Sequence, residues 1–438
     1  MNVLVIKTMF ERAQDQLIEG LRRSVDVDLP QGPYRDFCIS SLSPENPDRS
    51  AWLQMLGVPQ LVRLTLAMFD GILREHEIER ILEHSVPMNV YQVWEVVSDN
   101  LCIGLGSKVA GDDTREARRA VLDAFNSAVI DRLKGGHIPA RSSLLPIQAD
   151  AAQICVSTQS LSPGKLQALT RAYVERHLGV SSDEIERSAW PQLVANVETC
   201  ARVADHAAGL AVGPMVRWGL IHRYRAVSTL LEEPDMILSR RVPFSADAIL
   251  VVPTLAYYVG FLMDISCSAD DAVAVVEDGT LGEVLFSAAF LVRLLNDLGT
   301  TLLTSADDRR ALMAATRERC AREDGADRPF APLLLEGLAR FGPLLGRLSK
   351  DIVHGEINIA LSGLDRWPAR RAVSYFERRL ERLAQQYAEV RRYFIDLSAD
   401  VAARLGDGRA IELVGRFVQF HEKLYARSYA TADGEYAI

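Results

Sequence analysis

The stretch that most constrains the fold of this chain is residues 281–304, which are apolar almost throughout. At about 100° per residue, its polar side chains share roughly one third of a helix circumference: Arg293, Asn296, Asp297, Thr300 and Thr304. A helix that is apolar on its other sides is normally buried, and buried polar groups are costly unless they are paired or hold a ligand. Two structures remain open. One is a polar pocket; in the other, the helix breaks at Gly299, Asn296 or Asp297 caps a new helix, and Arg293 pairs with Asp297.

Helical spacing of apolar residues covers most of the remaining chain, and no long stretch alternates with period two. The clearest patterns run over residues 52–84, 88–104, 116–133, 163–177, 191–231, 246–265, 309–323, 334–361, 368–393 and 408–425. They predict an all-α protein. Residues 1–50, with prolines in quick succession, are predicted to be an irregular N-terminal extension, and residues 51–438 a single domain.

Composition excludes some classes of function. Nearly half of the residues are apolar and the net charge is −9, which argues against non-specific nucleic-acid binding. The longest apolar run, residues 248–263, is shorter than the roughly 20 residues of a membrane span, and the first residues lack a signal-peptide pattern. The six cysteines have no CxxC spacing, so they are predicted to be reduced in a cytoplasmic protein. A homodimer is compatible with the sequence.

The segment RLLNDLGTT, residues 293–301, resembles the second metal motif of class I terpene synthases. In that family an Asn or Asp, a Ser or Thr and a Glu recur at four-residue intervals and hold Mg²⁺ against the substrate diphosphate. Asn296 and Thr300 match the motif, and Thr304 stands in place of the Glu. Mg²⁺ prefers hard oxygen ligands, and this spacing places three of them on one face of a continuous helix.

Three other regions, within a resemblance that covers about residues 145–395, are similar to parts of the same family. Residues 149–161 occupy the place of its aspartate-rich motif, but only Asp150 remains of the three aspartates. Residues 239–261 offer Arg240 or Arg241 where the family breaks a helix near a diphosphate-binding group. Residues 355–367 end in Arg366 and Trp367, where bacterial members have an Arg-Tyr pair.

The resemblance implies a class I terpenoid synthase-like helical bundle with a central cavity. It implies a carbon–oxygen lyase that ionises a linear C15 or C20 prenyl diphosphate and cyclises or rearranges the carbocation. The implied metal ligands are Asp150, Asn296, Thr300 and Thr304, with Mg²⁺ as cofactor, in fewer ions than usual. The implied diphosphate-binding residues are Arg240, Arg241, Arg293 and Arg366. The aromatic residues expected to line the cavity are Trp218, Tyr257, Tyr258, Phe261, Phe286, Phe290 and Trp367.

The loss of carboxylates leaves three outcomes open. The enzyme uses fewer or differently placed metals, or it ionises its substrate with arginines and proton donors, or the chain is a non-catalytic binding protein of the same fold.

A different class of function is a haem-oxygenase-like dinuclear metal oxidase. Its candidate ligands are His76, Glu79, Glu83, His84, His206, Asp351, His354 and Glu356. The bland interpretation of residues 74–84 is a charged, solvated helix end. Likewise, GLGSK at residues 104–108 fits a helix C-cap better than a phosphate loop.

Overall fold

The computed structural model describes residues 3–106, 114–154, 163–322, 326–364 and 367–426. Within these ranges every extended regular element is a helix, and the only β-type pairing is an isolated bridge between Pro329 and Pro368. The predicted all-α class is therefore confirmed. The described chain divides into two compact units. Unit 1 holds the residues up to Cys102 and those from 114 to Tyr224; unit 2 holds residues 103–106 and those from Arg225 onward.

Unit 1 is built from eleven helices and the first part of a twelfth. They are α1 (Val3–Val27), α2 (Pro33–Leu42), α3 (Arg49–Met55), α4 (Val58–Phe69), α5 (Ile78–Leu101), α6 (Arg115–Leu133), α7 (Ala140–Ser143), α8 (Gln148–Ala151), α9 (Pro163–Arg176), α10 (Ser182–Glu186), α11 (Ala189–His206) and α12 (Gly213–Glu232). Two short 3₁₀ turns, Glu75–Glu77 and Leu145–Ile147, connect some of them.

The prediction of an irregular N-terminal extension is wrong, because most of that segment forms α1 and α2. Leu17 and Leu21 of α1 are buried, and Phe37 of α2 packs edge-on against Trp52 at 4.9 Å and against Tyr173 at 5.3 Å between ring centroids. Burying aromatic rings of this size contributes strongly to a core. Residues of α1 and α2 are thus part of the hydrophobic core of unit 1.

The prediction of one continuous helix over residues 52–84 is also wrong. The chain turns at Gly57 (φ 72°) and Gly71 (φ 70°), conformations that glycine adopts without the strain of a Cβ atom. The result is three separate elements, α3, α4 and α5, with a 3₁₀ turn before α5. His76 lies in that turn and not on the apolar face of a long helix.

Unit 2 contains the end of α12 and nine further helices. They are α13 (Leu238–Asp247), α14 (Val251–Ser266), α15 (Ala269–Glu277), α16 (Thr280–Thr304), α17 (Ala306–Cys320), α18 (Phe330–Leu338), α19 (Gly346–His354), α20 (Ala369–Leu405) and α21 (Arg409–Leu424), with a 3₁₀ segment at Ala339–Leu345. The apolar stretch singled out in the sequence is α16. It packs against α13, α14, α19, α20 and α21, and so forms the core helix of this unit.

No single helix in the described part of the chain is both long and apolar enough to cross a membrane. The pair α13 and α14 meets the length and composition criteria only when taken together, and it is bent by 46°.

A glycine-dependent contact in unit 2 joins residues 104–106 to the end of α19. The amide of Gly104 donates to the carbonyl of His354 at 2.7 Å, and the amide of Gly106 donates to that of Gly355 at 2.9 Å. A Cβ atom on Gly106 would lie 2.4 Å from the carbonyl carbon of Glu356. These glycines therefore dock against another backbone, and Gly104 has the positive φ of a chain leaving a helix.

Replacing Gly106 with alanine should lower the free energy of unfolding by about 1–3 kcal/mol, because the methyl group meets backbone atoms that cannot rotate away. Urea denaturation followed by circular dichroism would measure this. The matched control is Gly415→Ala in α21, where the new Cβ meets nothing within 4 Å and the change should be neutral or stabilising. Equal stabilities for the two variants would contradict the docking described here.

Candidate functional site

Three segments singled out in the sequence meet in unit 2 around residues 355–364, which we call the junction segment. The backbone of this segment contacts Arg293 and Asp297 of α16. It also contacts the loop before α13, where the Ser362 hydroxyl donates to the carbonyl of Pro234 at 3.3 Å. The site is therefore assembled from residues 233–241, 293–300 and 355–364, together with side chains from α19 and α20.

A buried ion pair on α16 forms one side of the site. Arg293 Nη2 lies 2.7 Å from Asp297 Oδ1, and both side chains are almost fully buried. Arg293 also donates to the carbonyl of Ile357 at 2.6 Å, and Asp297 Oδ2 accepts from the amide of Ile359 at 2.7 Å. Burial raises the pKa of the Asp297 carboxyl, and the Arg293 guanidinium opposes that rise. The pairing of Arg293 with Asp297, one of the two structures left open by the sequence, is the one observed.

Asp351 on α19 is a second buried carboxyl in the site. Its Oδ2 accepts from Asn358 Nδ2 at 2.7 Å, and the same amide nitrogen donates to the carbonyl of Asp297 at 2.9 Å. Its Oδ1 accepts no hydrogen bond from a described residue. Burial, with a contribution from the negative charge of Asp297, raises the pKa of Asp351 to about 7 against the charge of Arg347. Asp351 is thus a carboxyl that changes protonation near neutral pH.

Glu356 lies beside Asp351, but its pKa is shifted in the opposite direction. Its Oε2 accepts from Lys350 Nζ at 2.8 Å, and its Oε1 lies 3.2 Å from His354 Nδ1. Although burial works against it, these two partners lower the pKa of Glu356 to about 2. Two neighbouring carboxyls with such different environments are a common arrangement at sites that separate acid and base roles.

Asp351→Asn should flatten the pH dependence of stability. A carboxyl whose pKa is higher in the folded than in the unfolded chain stabilises the fold below its unfolded pKa, and that contribution is lost as the pH rises through about 7. The free energy of unfolding, measured by urea titration at pH 5 and at pH 8, should therefore fall more in the wild-type chain than in the Asn variant. Asp150→Asn, at an exposed position, is the control. Identical pH profiles for wild type and Asp351→Asn would contradict the assignment.

The predicted metal ligands on α16 do not share one continuous helical face. Gly299 has φ 76° and ψ 159° and breaks the helix between Asn296 and Thr300. The prediction of three ligands on one uninterrupted helix is wrong for this reason. The Thr300 hydroxyl donates to the carbonyl of Glu422 at 2.6 Å, and the exposed Thr304 hydroxyl donates to that of Thr300 at 2.9 Å.

The amide oxygen of Asn296 is engaged by donors from the protein itself. Tyr425 donates its hydroxyl to Asn296 Oδ1 at 3.1 Å, and the guanidinium of Arg347 donates both to that atom and to the Asn296 carbonyl. A cation next to Arg347 would meet a like charge, and the threonine oxygens add no negative charge to balance it. The donor set at these positions therefore does not fit Mg²⁺.

The remaining predicted site residues are distributed as follows. Asp150 is exposed on α8 in unit 1, whereas the α16 residues belong to unit 2. Arg366 lies outside the described residues. Arg240 is exposed and lies 3.2 Å from Glu233, while Arg241 is buried and donates to the carbonyl of Pro234 at 2.6 Å. Of the predicted arginines, Arg293 contacts the junction segment, and Arg241 contacts the Pro234 carbonyl to which Ser362 of that segment also donates.

Arg379 of α20 is a site residue that the sequence did not reveal. Its Nη1 donates to the carbonyls of Ile359, Ala360 and Ser362 at 3.5, 3.1 and 2.7 Å. Burial and the nearby positive charge of Arg241 lower the pKa of Arg379 to about 10. Arg379 makes no ion pair with any carboxylate in the described chain. Among the described residues, the hydrogen bonds of this guanidinium run from Nη1.

Comparison with known protein families, with curated proteins and with solved structures gives no match to this chain. The resemblance to class I terpene synthases consequently rests on its motifs alone.

The residues proposed as ligands of a dinuclear metal site are divided between the two units. His84 and His206 are neighbours in unit 1, with ring centroids 5.0 Å apart, and burial lowers the pKa of His206. The group at 351–356 belongs to unit 2. Over the described ranges, no three His, Cys, Asp or Glu side chains are grouped so that they could hold a metal ion.

The aromatic residues expected around a cavity differ in their environments. Tyr257, Tyr258 and Phe261 of α14 are almost fully buried in unit 2. Phe286 and Phe290 of α16 are half-buried. Trp367 is also half-buried in unit 2, whereas Trp218 is exposed in unit 1.

Proposed function

We propose that unit 2 binds the diphosphate of a linear prenyl diphosphate at the junction segment and ionises it with arginines. The lyase would then cyclise or rearrange the resulting carbocation, as the terpene synthase-like motifs imply. The observation that carries the proposal is Arg379, whose guanidinium donates to three backbone carbonyls of the junction segment and experiences the positive charge of Arg241.

The contacts of Arg241 and Arg379 favour an anionic ligand. Each guanidinium is oriented by backbone carbonyl oxygens, and that of Arg379 makes no ion pair with a described carboxylate. Arginine is suited to the phosphate oxygens because its planar fork donates two parallel hydrogen bonds. Fixed donors of this kind stabilise negative charge that develops on a leaving group. A departing diphosphate carries such charge.

Mg²⁺ enters no step of this proposal, because the donor set at Asn296, Thr300 and Thr304 does not fit it. The requirement of turnover for Mg²⁺ remains a separate prediction, implied only by the motif. The observation that favours a second candidate, a non-catalytic binding protein, is that Asn296, Asp297 and Arg293 are all engaged by protein groups.

Calorimetric titration with inorganic diphosphate tests the binding step. We expect saturable binding without Mg²⁺, weakened at least about tenfold, or about 1.4 kcal/mol, by Arg379→Gln. The control is Arg382→Gln, an exposed arginine on the same helix, which should bind as the wild type does. Binding that requires Mg²⁺ and is unchanged in Arg379→Gln would contradict the arginine site.

A further inference from the structure

A second candidate binding site lies in unit 1, in a cavity of about 600 Å³ at the C-terminal end of α6. It is an open cleft beside α6, α11 and α12, and its lining includes Leu133, Lys134, Ala201, Asp205, Arg217 and Trp218. All these residues belong to one compact unit, and none is part of the junction in unit 2.

Trp218 gives this cavity an aromatic wall. Its side chain is 51% exposed, whereas the other three tryptophans of unit 1, Trp52, Trp94 and Trp190, are 2%, 3% and 6% exposed. Covering the exposed part of an indole with a ligand is favourable, because an aromatic side chain carries a large apolar surface. Here the indole lines the cavity together with the apolar side chains of Leu133, Ala201 and Ile221.

The polar part of the same cavity is cationic. Arg217 is held in place, since its Nη1 donates to the carbonyl of Leu133 at 2.8 Å and its Nη2 to Asp205 Oδ1 at 2.8 Å. Arg132 lies 3.6 Å from Glu198, which offsets its charge. Lys134 is exposed at the C-cap of α6 and makes no ion pair or hydrogen bond with a described side chain. Its ammonium group is thus a positive charge at the lining of the same cavity, without an ion pair to a described side chain.

We propose that this cavity binds a planar aromatic molecule that carries a phosphate or a carboxylate. The ring stacks on Trp218, and the anionic group pairs with Lys134. An apolar wall with a few convergent polar groups is the usual composition of a small-molecule site. Neither element alone defines the ligand: the indole selects a flat ring, and the lysine selects negative charge.

Titration of the full chain with two probes, adenosine monophosphate and 1-naphthoate, tests the proposal. We expect at least one probe to quench tryptophan fluorescence with a dissociation constant below about 1 mM. The quenched part of the emission should come mainly from Trp218, because it is the tryptophan that lines this cavity. Binding of adenosine monophosphate alone would identify the anionic group as a phosphate. Binding of 1-naphthoate alone would identify it as a carboxylate.

Calorimetric titration of variants distinguishes the contact of the ligand with Trp218 from its contact with Lys134. Trp218→Leu and Lys134→Gln should each weaken binding of the better probe at least about tenfold, while Trp218→Phe and Lys134→Arg should retain most of it. Thermal denaturation establishes that each variant is folded. The proposal is overturned if neither probe saturates, if adenosine or inorganic phosphate alone binds as tightly as the monophosphate, or if Trp218→Leu binds as the wild type does.

Discussion

Replacing Asp297 with alanine should lower the free energy of unfolding by about 3–5 kcal/mol, because it leaves the charge of Arg293 buried without its partner. The amide of Ile359 would also lose its acceptor, and a buried unsatisfied donor adds to the cost. Urea denaturation at neutral pH measures the effect. The Asp297→Ala substitution should also weaken the packing of the junction segment on α16, which would appear as faster amide exchange at Ile359.

A double variant provides the control for this prediction. Arg293→Met with Asp297→Leu removes both charges, and paired apolar replacements of buried ion pairs are often neutral or stabilising. The double variant should therefore recover much of the stability that Asp297→Ala loses. A loss below about 1 kcal/mol in the single variant would show that these groups are not buried together as described.

Replacing Arg379 with glutamine should lower turnover of a prenyl diphosphate by about 10²-fold or more. Loss of one fixed charged donor to a developing anion typically costs about 10²–10³ in rate. Arg379→Lys keeps the charge but not the planar fork, and should fall between the wild type and the glutamine variant. The measurement is the initial rate of diphosphate release, with thermal denaturation to establish that each variant is folded.

Asn296→Ala separates the arginine mechanism from the metal mechanism that the motif implies. If Asn296 held an essential metal ion, its alanine variant would lose all product formation without unfolding. Under the arginine mechanism, the variant loses the hydrogen bonds from Tyr425 and Arg347 and is affected less than Arg379→Gln. A larger loss in Asn296→Ala than in Arg379→Gln would favour the metal.

Local signals in the sequence predicted several features correctly. The apolar periodicity of residues 281–304 identified the core helix α16, and the four-residue spacing of Arg293 and Asp297 made their ion pair one of two alternatives that the sequence left open. Gly299 marked the break. Each of these features depends on neighbours within about one or two helical turns, so the sequence of a single segment contains the necessary information.

Other features could not be predicted from the sequence of a single segment. Prolines near the N-terminus suggested irregular structure, but Pro33 occupies the first turn of α2, where its missing amide is tolerated. The role of Arg379 depends on carbonyl groups some twenty residues away in a loop, and nothing distinguishes it from the other arginines of α20. The division between unit 1 and unit 2 falls inside α12, where no composition change marks it.

The most direct test of the proposed function is incubation of the purified chain with C10, C15 and C20 prenyl diphosphates, with and without Mg²⁺. Volatile and extractable products are identified by mass spectrometry. We predict a cyclised or rearranged hydrocarbon or alcohol from the C15 or C20 substrate, formed in the wild type and strongly reduced in Arg379→Gln. The absence of product from all three substrates under both conditions would contradict the proposed enzyme.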